Sequence, residues 1–229
     1  MVVMAEKKGK ILVIDNYQKD DSNGIKEIEE AIALAGYESK VMRHSDAEQL
    51  VKSGGDILDG YHGVISSGSG KSWKDTGDKD KHGKPYVSMN DLVHDYLAKH
   101  DKPVYGICGG HHALANSMGY KVVNTGEFNR GKGDDGHYYN HKYAINESDI
   151  GSEVESELMK HGGKEHRKEE LEGKTINYIK SFEQGNKRGV QYHSERSEHG
   201  KKEIADFFDK HIKPGENTSN KPVNDKYQK

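Results

Sequence analysis

Apolar residues are scarce in this chain: they make up 31% of its 229 positions, and mean hydropathy is −1.02. It has one cysteine, one tryptophan and four prolines. The single cysteine, Cys108, excludes an internal disulfide and leaves a lone thiol, which in most proteins is a small buried hydrophobe rather than a nucleophile. No run approaches the ~20 apolar residues of a membrane-spanning helix. The longest, Ile11 to Ile14, is strand-sized. Residues 1–10 hold no apolar core of signal-peptide length, so a reducing, cytoplasmic location is expected. Neither sign of charge dominates. Lys plus Arg total 35 and Asp plus Glu total 38, a net of −3. So balanced a surface creates no strong field, and neither nucleic acid nor membrane is expected as a partner.

What is present alternates. Lys10 to Ile14, Lys40 to Arg43, Gly63 to Ser66 and Pro103 to Ile107 read as short buried strands. Between them, Gly24 to Ala35, Asp46 to Lys52 and Met89 to His100 space their apolar residues as helices do. This implies an open α/β sheet of flavodoxin-like type, mainly parallel, with helices on both faces. The charged stretch Lys71 to Lys84 reads as a solvated excursion. In the second half, Tyr120 to Asn124, Tyr138 to Ile145, Thr175 to Phe182 and Gly189 to Tyr192 look like strands without long helices between them. They imply an antiparallel extension or mixed edge of the same sheet. Gly151 to Glu172 could be helix, loop or both. A last amphipathic helix is expected over Lys201 to Ile212. Residues 1–9 are expected to be a flexible N-terminus, 10–212 the domain and 213–229 a disordered tail.

Two segments carry chemistry. In Val104-Tyr-Gly-Ile-Cys-Gly-Gly-His-His-Ala-Leu114, a thiol stands between a buried strand and a helix, among glycines, as in a nucleophile elbow. The turn lifts the side chain out of the sheet. The helix N-terminus favours a thiolate and offers backbone N–H groups to an oxyanion. The competing reading is a buried cysteine capping a strand. In Gly189-Val-Gln-Tyr-His-Ser-Glu195, residues two apart in an extended segment share a side, so Glu195 can orient His193 as a base. Alone, this segment could equally be a surface histidine near a carboxylate. His111 and His112, adjacent on a helix, diverge by about 100° and make a poor metal pair. His137, His141, His161 and His166 have no recognised ligand spacing, so no metal or other cofactor is expected.

Taken together, the order Cys elbow, then His-x-Glu before the last helix, resembles the class I glutamine amidotransferases. Ile14-Asp-Asn-Tyr17 is similar to the opening of the anthranilate and aminodeoxychorismate synthase members. Ser66-Ser-Gly-Ser-Gly70 resembles their Ser-Pro-Gly-Pro-Gly loop, and His199-Gly-Lys201 resembles the ending of guanylate synthetase amidotransferases. The resemblance implies a Cys108-His193-Glu195 triad that hydrolyses the glutamine side-chain amide through a thioester. It also implies an oxyanion hole from Gly68 and Gly109, and delivery of ammonia to a separate synthetase. It places His112, Tyr139, Asn140 and His141 near the substrate. Three positions depart from the family: His112 replaces the usual Gln, Gly109 replaces a bulky residue and Ser194 replaces Pro. These changes keep open a stand-alone γ-glutamyl hydrolase of the same fold, or a catalytically silent binding module.

Overall fold

The computed structural model describes residues 7–17, 23–70, 73–80, 83–89, 91–145, 164–171 and 174–213. In chain order the elements begin β1 Lys10–Asp15, α1 Asn23–Leu34, β2 Glu38–Arg43, α2 His44–Lys52, β3 Gly63–Ser66, β4 Lys74–Lys79, β5 Pro85–Ser88, α3 Leu92–Lys99 and β6 Val104–Ile107. They continue with α4 Gly109–Ser117, β7 Val122–Lys132, β8 Tyr138–Ile145, β9 Lys164–Leu171, β10 Lys174–Gln184 and β11 Lys187–Val190. A 3₁₀ turn, Ser194–Arg196, and α5, Glu198–His211, complete the set.

Strand β1 shows why the main sheet is buried on both sides. Successive side chains point to opposite faces, and all four apolar residues are fully buried. Ile11 and Val13 join the cluster holding Ile28 and Ile32 of α1 with Ile204, Phe207 and Phe208 of α5. Leu12 and Ile14 join Ala47 of α2, Val93 and Leu97 of α3 and Leu114 of α4. Each such side chain, fully buried, stabilises the fold by about 1.5–3 kcal/mol. The main sheet therefore runs β2-β1-β3-β6-β11-β10-β9, with α1 and α5 on one face and α2 to α4 on the other. Its first five strands are parallel, and β10 and β9 are antiparallel additions.

The second half departs from expectation. It does not all extend one sheet, because β7 and β8 join β4 and β5 in a separate antiparallel sheet ordered β4-β5-β7-β8. The stretch read as a solvated excursion supplies β4, the outermost of those strands. Every residue of β4 is exposed, so no apolar alternation announces it. Its strand character comes from pairing, with Lys74 opposite Ser88 and Asp75 opposite Val87. Of the ambiguous Gly151 to Glu172 stretch, Lys164–Leu171 is strand β9, paired with β10. Residues 146–163, 172–173 and 214–229 lie outside the described residues, so most of the expected tail does too. Of the expected flexible N-terminus, Lys8 is described. Its backbone N–H donates to the Gly36 carbonyl (3.0 Å), and its ammonium pairs with Asp209 at 2.8 Å. Among the described residues no helix is long and apolar enough to cross a membrane.

Candidate active site

Cys108 sits between β6 and α4 with φ 47° and ψ −101°, the one non-glycine residue at positive φ among those described. A side chain held there costs of order 1–3 kcal/mol, which the surroundings must offset. They do so by close packing and hydrogen bonding. The Cys108 N–H donates to the Val190 carbonyl at 2.8 Å. A Cβ on Gly106 would come 2.8 Å from the Gly110 carbonyl oxygen, and one on Gly109 would come 2.5 Å from Ser69 Cβ. The glycine in place of a bulky residue at 109 therefore lets the Ser66–Gly70 loop press onto the elbow. The thiol is 5% exposed and lies 3.6 Å from the Asn140 carbonyl oxygen.

His193 and Glu195 are brought together by a route other than the expected extended segment. Strand β11 has ended, and the 3₁₀ turn carries Glu195 back under the imidazole. The His193 Nδ1–H donates to Glu195 Oε1 at 2.8 Å, and the Glu195 side chain is fully buried. His193 Nε2 is buried without a conventional hydrogen-bond partner, within reach of the Cys108 sulfur. Burial disfavours the imidazolium. The negative charges available at Cys108 and Glu195 outweigh burial and push the His193 pKa up to about 10. The His193 backbone N–H donates to the Tyr138 carbonyl at 2.8 Å.

A cavity of about 180 Å³ opens beside the thiol, lined among others by Trp73, Cys108, Gly109, His112, Asn140 and His141. It is small against the roughly 300–1,000 Å³ of drug-sized pockets and suits an amino-acid side chain. Lys142 and Ser69 also line it. Tyr139 lies outside this lining. Alternation along β8 turns its ring into the core, edge-on to Tyr192, and its hydroxyl donates to Asp135 at 2.6 Å. His112 is fully engaged. Its Nε2 is 2.7 Å from the Gln191 side-chain amide, and the ring also bonds the Tyr143 backbone. Burial pushes its pKa down to about 4, so the neutral ring has one donor and one acceptor, both used within the protein.

Several residues around the site had no signature of their own in the sequence. Asn16 donates through Nδ2 to Ser66 Oγ (2.8 Å) and to the Ser67 carbonyl (2.7 Å). Ser66 Oγ lies 2.6 Å from His94 Nε2, His94 Nδ1 lies 2.9 Å from Asp91 Oδ2, and the same carboxylate takes His44 Nε2 at 2.8 Å. This buried chain ties the glycine loop to α2 and α3. Asp91 also caps α3 by accepting from the Val93 and His94 N–H groups. An Asp followed three residues later by His is a weak capping pattern, and only the fold aims it at Ser66. Gly68 packs against the Tyr17 hydroxyl and His193 Cε1, while the N–H of Gly109, first residue of α4, has no intrahelical acceptor. Among the described residues, two groups could hold a metal ion: His44, Asp91 and His94, and His137, His199 and Glu203.

A thiol on a strand–helix elbow, facing an imidazole oriented by a buried carboxylate on a doubly covered parallel sheet, defines a cysteine-hydrolase type of α/β site. The sequence matches the model of the class-I glutamine amidotransferase family over residues 12–211, and the chain belongs to that family. Solved structures of similar fold include one from Thermoplasma acidophilum that is assigned to GMP synthase as its amidotransferase-like subunit. It is 17% identical, with a TM-score of 0.55, 89% of this chain and 94% of that one being covered. Another is a chain of PurLQS from Thermotoga maritima, 15% identical with a TM-score of 0.56, covering 90% of this chain and all of that one. A comparison with curated protein sequences finds no match.

Proposed function

We propose that Cys108, His193 and Glu195 form the catalytic triad of a glutaminase, and that the ammonia released passes to a separate synthetase. The observation that carries this reading is the pairing of an elbow thiol with an imidazole bonded to Glu195 at 2.8 Å. The Cys108 thiolate attacks the side-chain amide carbon, and the resulting oxyanion is met by the N–H groups of Gly68 and Gly109. Such a donor is worth about 2.7–4 kcal/mol. Imidazolium His193 gives its proton to the departing nitrogen, leaving ammonia and a γ-glutamyl thioester. The same imidazole then takes a proton from water, which attacks the thioester and frees glutamate and the thiol. Glu195 holds the ring throughout. Asn140 and His141 form the pocket wall that receives the substrate, and His112 shapes it through Gln191 rather than by direct bonding. The synthetase partner is supported by the family and by the synthase named for the Thermoplasma neighbour.

The test is ammonia release from glutamine by purified protein, together with labelling by a glutamine-like chloroketone. Native protein should release ammonia and take one label at Cys108. Cys108→Ala and His193→Ala should lose essentially all turnover, and Glu195→Ala should keep a fraction, because an orienting group is partly replaceable. The engagement of His112 favours a second reading, hydrolysis of another γ-glutamyl compound. Label at Cys108 with no turnover of glutamine, but rapid cleavage of γ-glutamyl amides, would select it.

A further inference from the structure

We propose that His137, His199 and Glu203 form a binding site for a first-row divalent cation, with Zn²⁺ the best match to two imidazoles and one carboxylate. One donor atom from each of the three residues lies within 4.8 Å of the others. His199 and Glu203 are one turn apart on α5 and share its face, His199 Nε2 lying 4.0 Å from Glu203 Oε1. His137 comes from the turn between β7 and β8, where Asp135 accepts its backbone N–H at 3.1 Å. Its ring stacks on Tyr192 with centroids 3.7 Å apart, and lies 5.3 Å from the ring of His199.

Two further observations point to a ligand. His137 is only 3% exposed, yet its Nδ1 is buried without a hydrogen-bond partner. Burial also lowers the pKa of this ring, which keeps it in the neutral form a metal requires. The Glu203 carboxylate is already oriented: Tyr192 donates to Oε2 at 2.8 Å, and Arg188 donates to Oε1 at 3.2 Å. Outer contacts of this kind hold metal-binding carboxylates in place, and a carboxylate has about four lone-pair positions, so Oε1 retains one. The nearest cations are balanced, Arg188 by Glu183 at 3.1 Å and Lys180 by Asp135 at 3.3 Å. Drawing the donors in from their present spacing requires rotation of the exposed His199 side chain alone, which is 70% accessible.

The cation would clamp the β7–β8 turn to α5. Tyr138, next to His137, holds the His193 backbone N–H, and Tyr192 directly precedes His193. The pocket wall on β8 and the segment carrying the base would be fixed relative to each other. This inference stands independently of the glutaminase reading, and its test reads binding and stability rather than turnover.

The experiment uses tag-free protein carrying Cys108→Ala, which removes the thiol as a competing ligand. Equilibrium dialysis with Zn²⁺ should give one bound ion per chain at micromolar concentration, with a raised Tm. Adding His199→Ala, a surface change that leaves the fold intact, should weaken binding by more than the roughly 10–100-fold typical of losing an outer-shell partner. The Tm rise should vanish with it. Adding His44→Ala instead, at the other histidine–aspartate group, should leave both readings unchanged. Undiminished binding in the His199→Ala protein, loss of binding in the His44→Ala protein, or no bound Zn²⁺ at millimolar concentration would each overturn the proposal.

Discussion

His193 stands between two groups that stabilise its protonated form, the Cys108 sulfur and the Glu195 carboxylate, and their attraction overcomes burial to place its pKa at about 10. Two consequences follow at this residue. Its folded value lies above the ordinary 6.5, so the associated stabilisation is fully present below pH 6.5. It is lost as pH rises through about 10. The imidazolium needed to protonate ammonia should therefore persist well above neutrality. NMR titration of the His193 ring should give a midpoint near 10 in the native protein and a clearly lower one in Cys108→Ala, which removes the partner on the Nε2 side. A midpoint unmoved by that substitution would mean that the thiol and imidazole do not interact. The His193–Glu195 pairing was legible in the sequence as residues two apart. The extended geometry that suggested it was not what formed, because the chain turns into a 3₁₀ segment after β11.

Helix α4 has two constraints that work in one direction. Its N-terminus must present Cys108, and its body must fill the space beneath the sheet, where His111 and His112 are both buried and held neutral. A buried histidine with a pKa near 4 stays unprotonated while its unfolded counterpart charges from about 6.5 downward. The unfolded state then binds more protons, and stability falls as pH drops through that window. For His112 alone the loss at pH 5 is about 2 kcal/mol. Chemical denaturation of His112→Gln, compared with native protein at pH 7.5 and pH 5, should show a smaller acid loss, since the amide offers donor and acceptor without titrating. An equal acid loss in both proteins would place the sensitivity elsewhere, His111 being next. The adjacent pair was visible in the sequence, but its engagement with Gln191, Gly189 and Tyr143 depends on which strands flank the helix.

The whole molecule places its cavity where two sheets meet. The elbow comes from the parallel sheet, whereas Asn140, His141 and Tyr143 come from β8, and Trp73 from the start of the hairpin that completes the second sheet. Trp73→Ala should raise the KM for glutamine several-fold with little change in kcat, the pattern expected when contact made equally in ground and transition states is lost. Steady-state ammonia release measures this, and a fall in kcat alone would assign Trp73 a different part. By itself the sequence determined the parallel half, because buried strands and amphipathic helices impose apolar periods of 2 and 3.6 on contiguous residues. It also determined the elbow, because only glycine fits positions 106, 109 and 110 around Cys108. The tertiary structure alone decided the exposed strand β4, the division into two sheets, the Asn16-Ser66-His94-Asp91 chain and the meeting of His137 with His199 and Glu203. These depend on pairing between backbone groups or polar atoms distant in sequence. Such pairing leaves no periodic trace in the residues that form it.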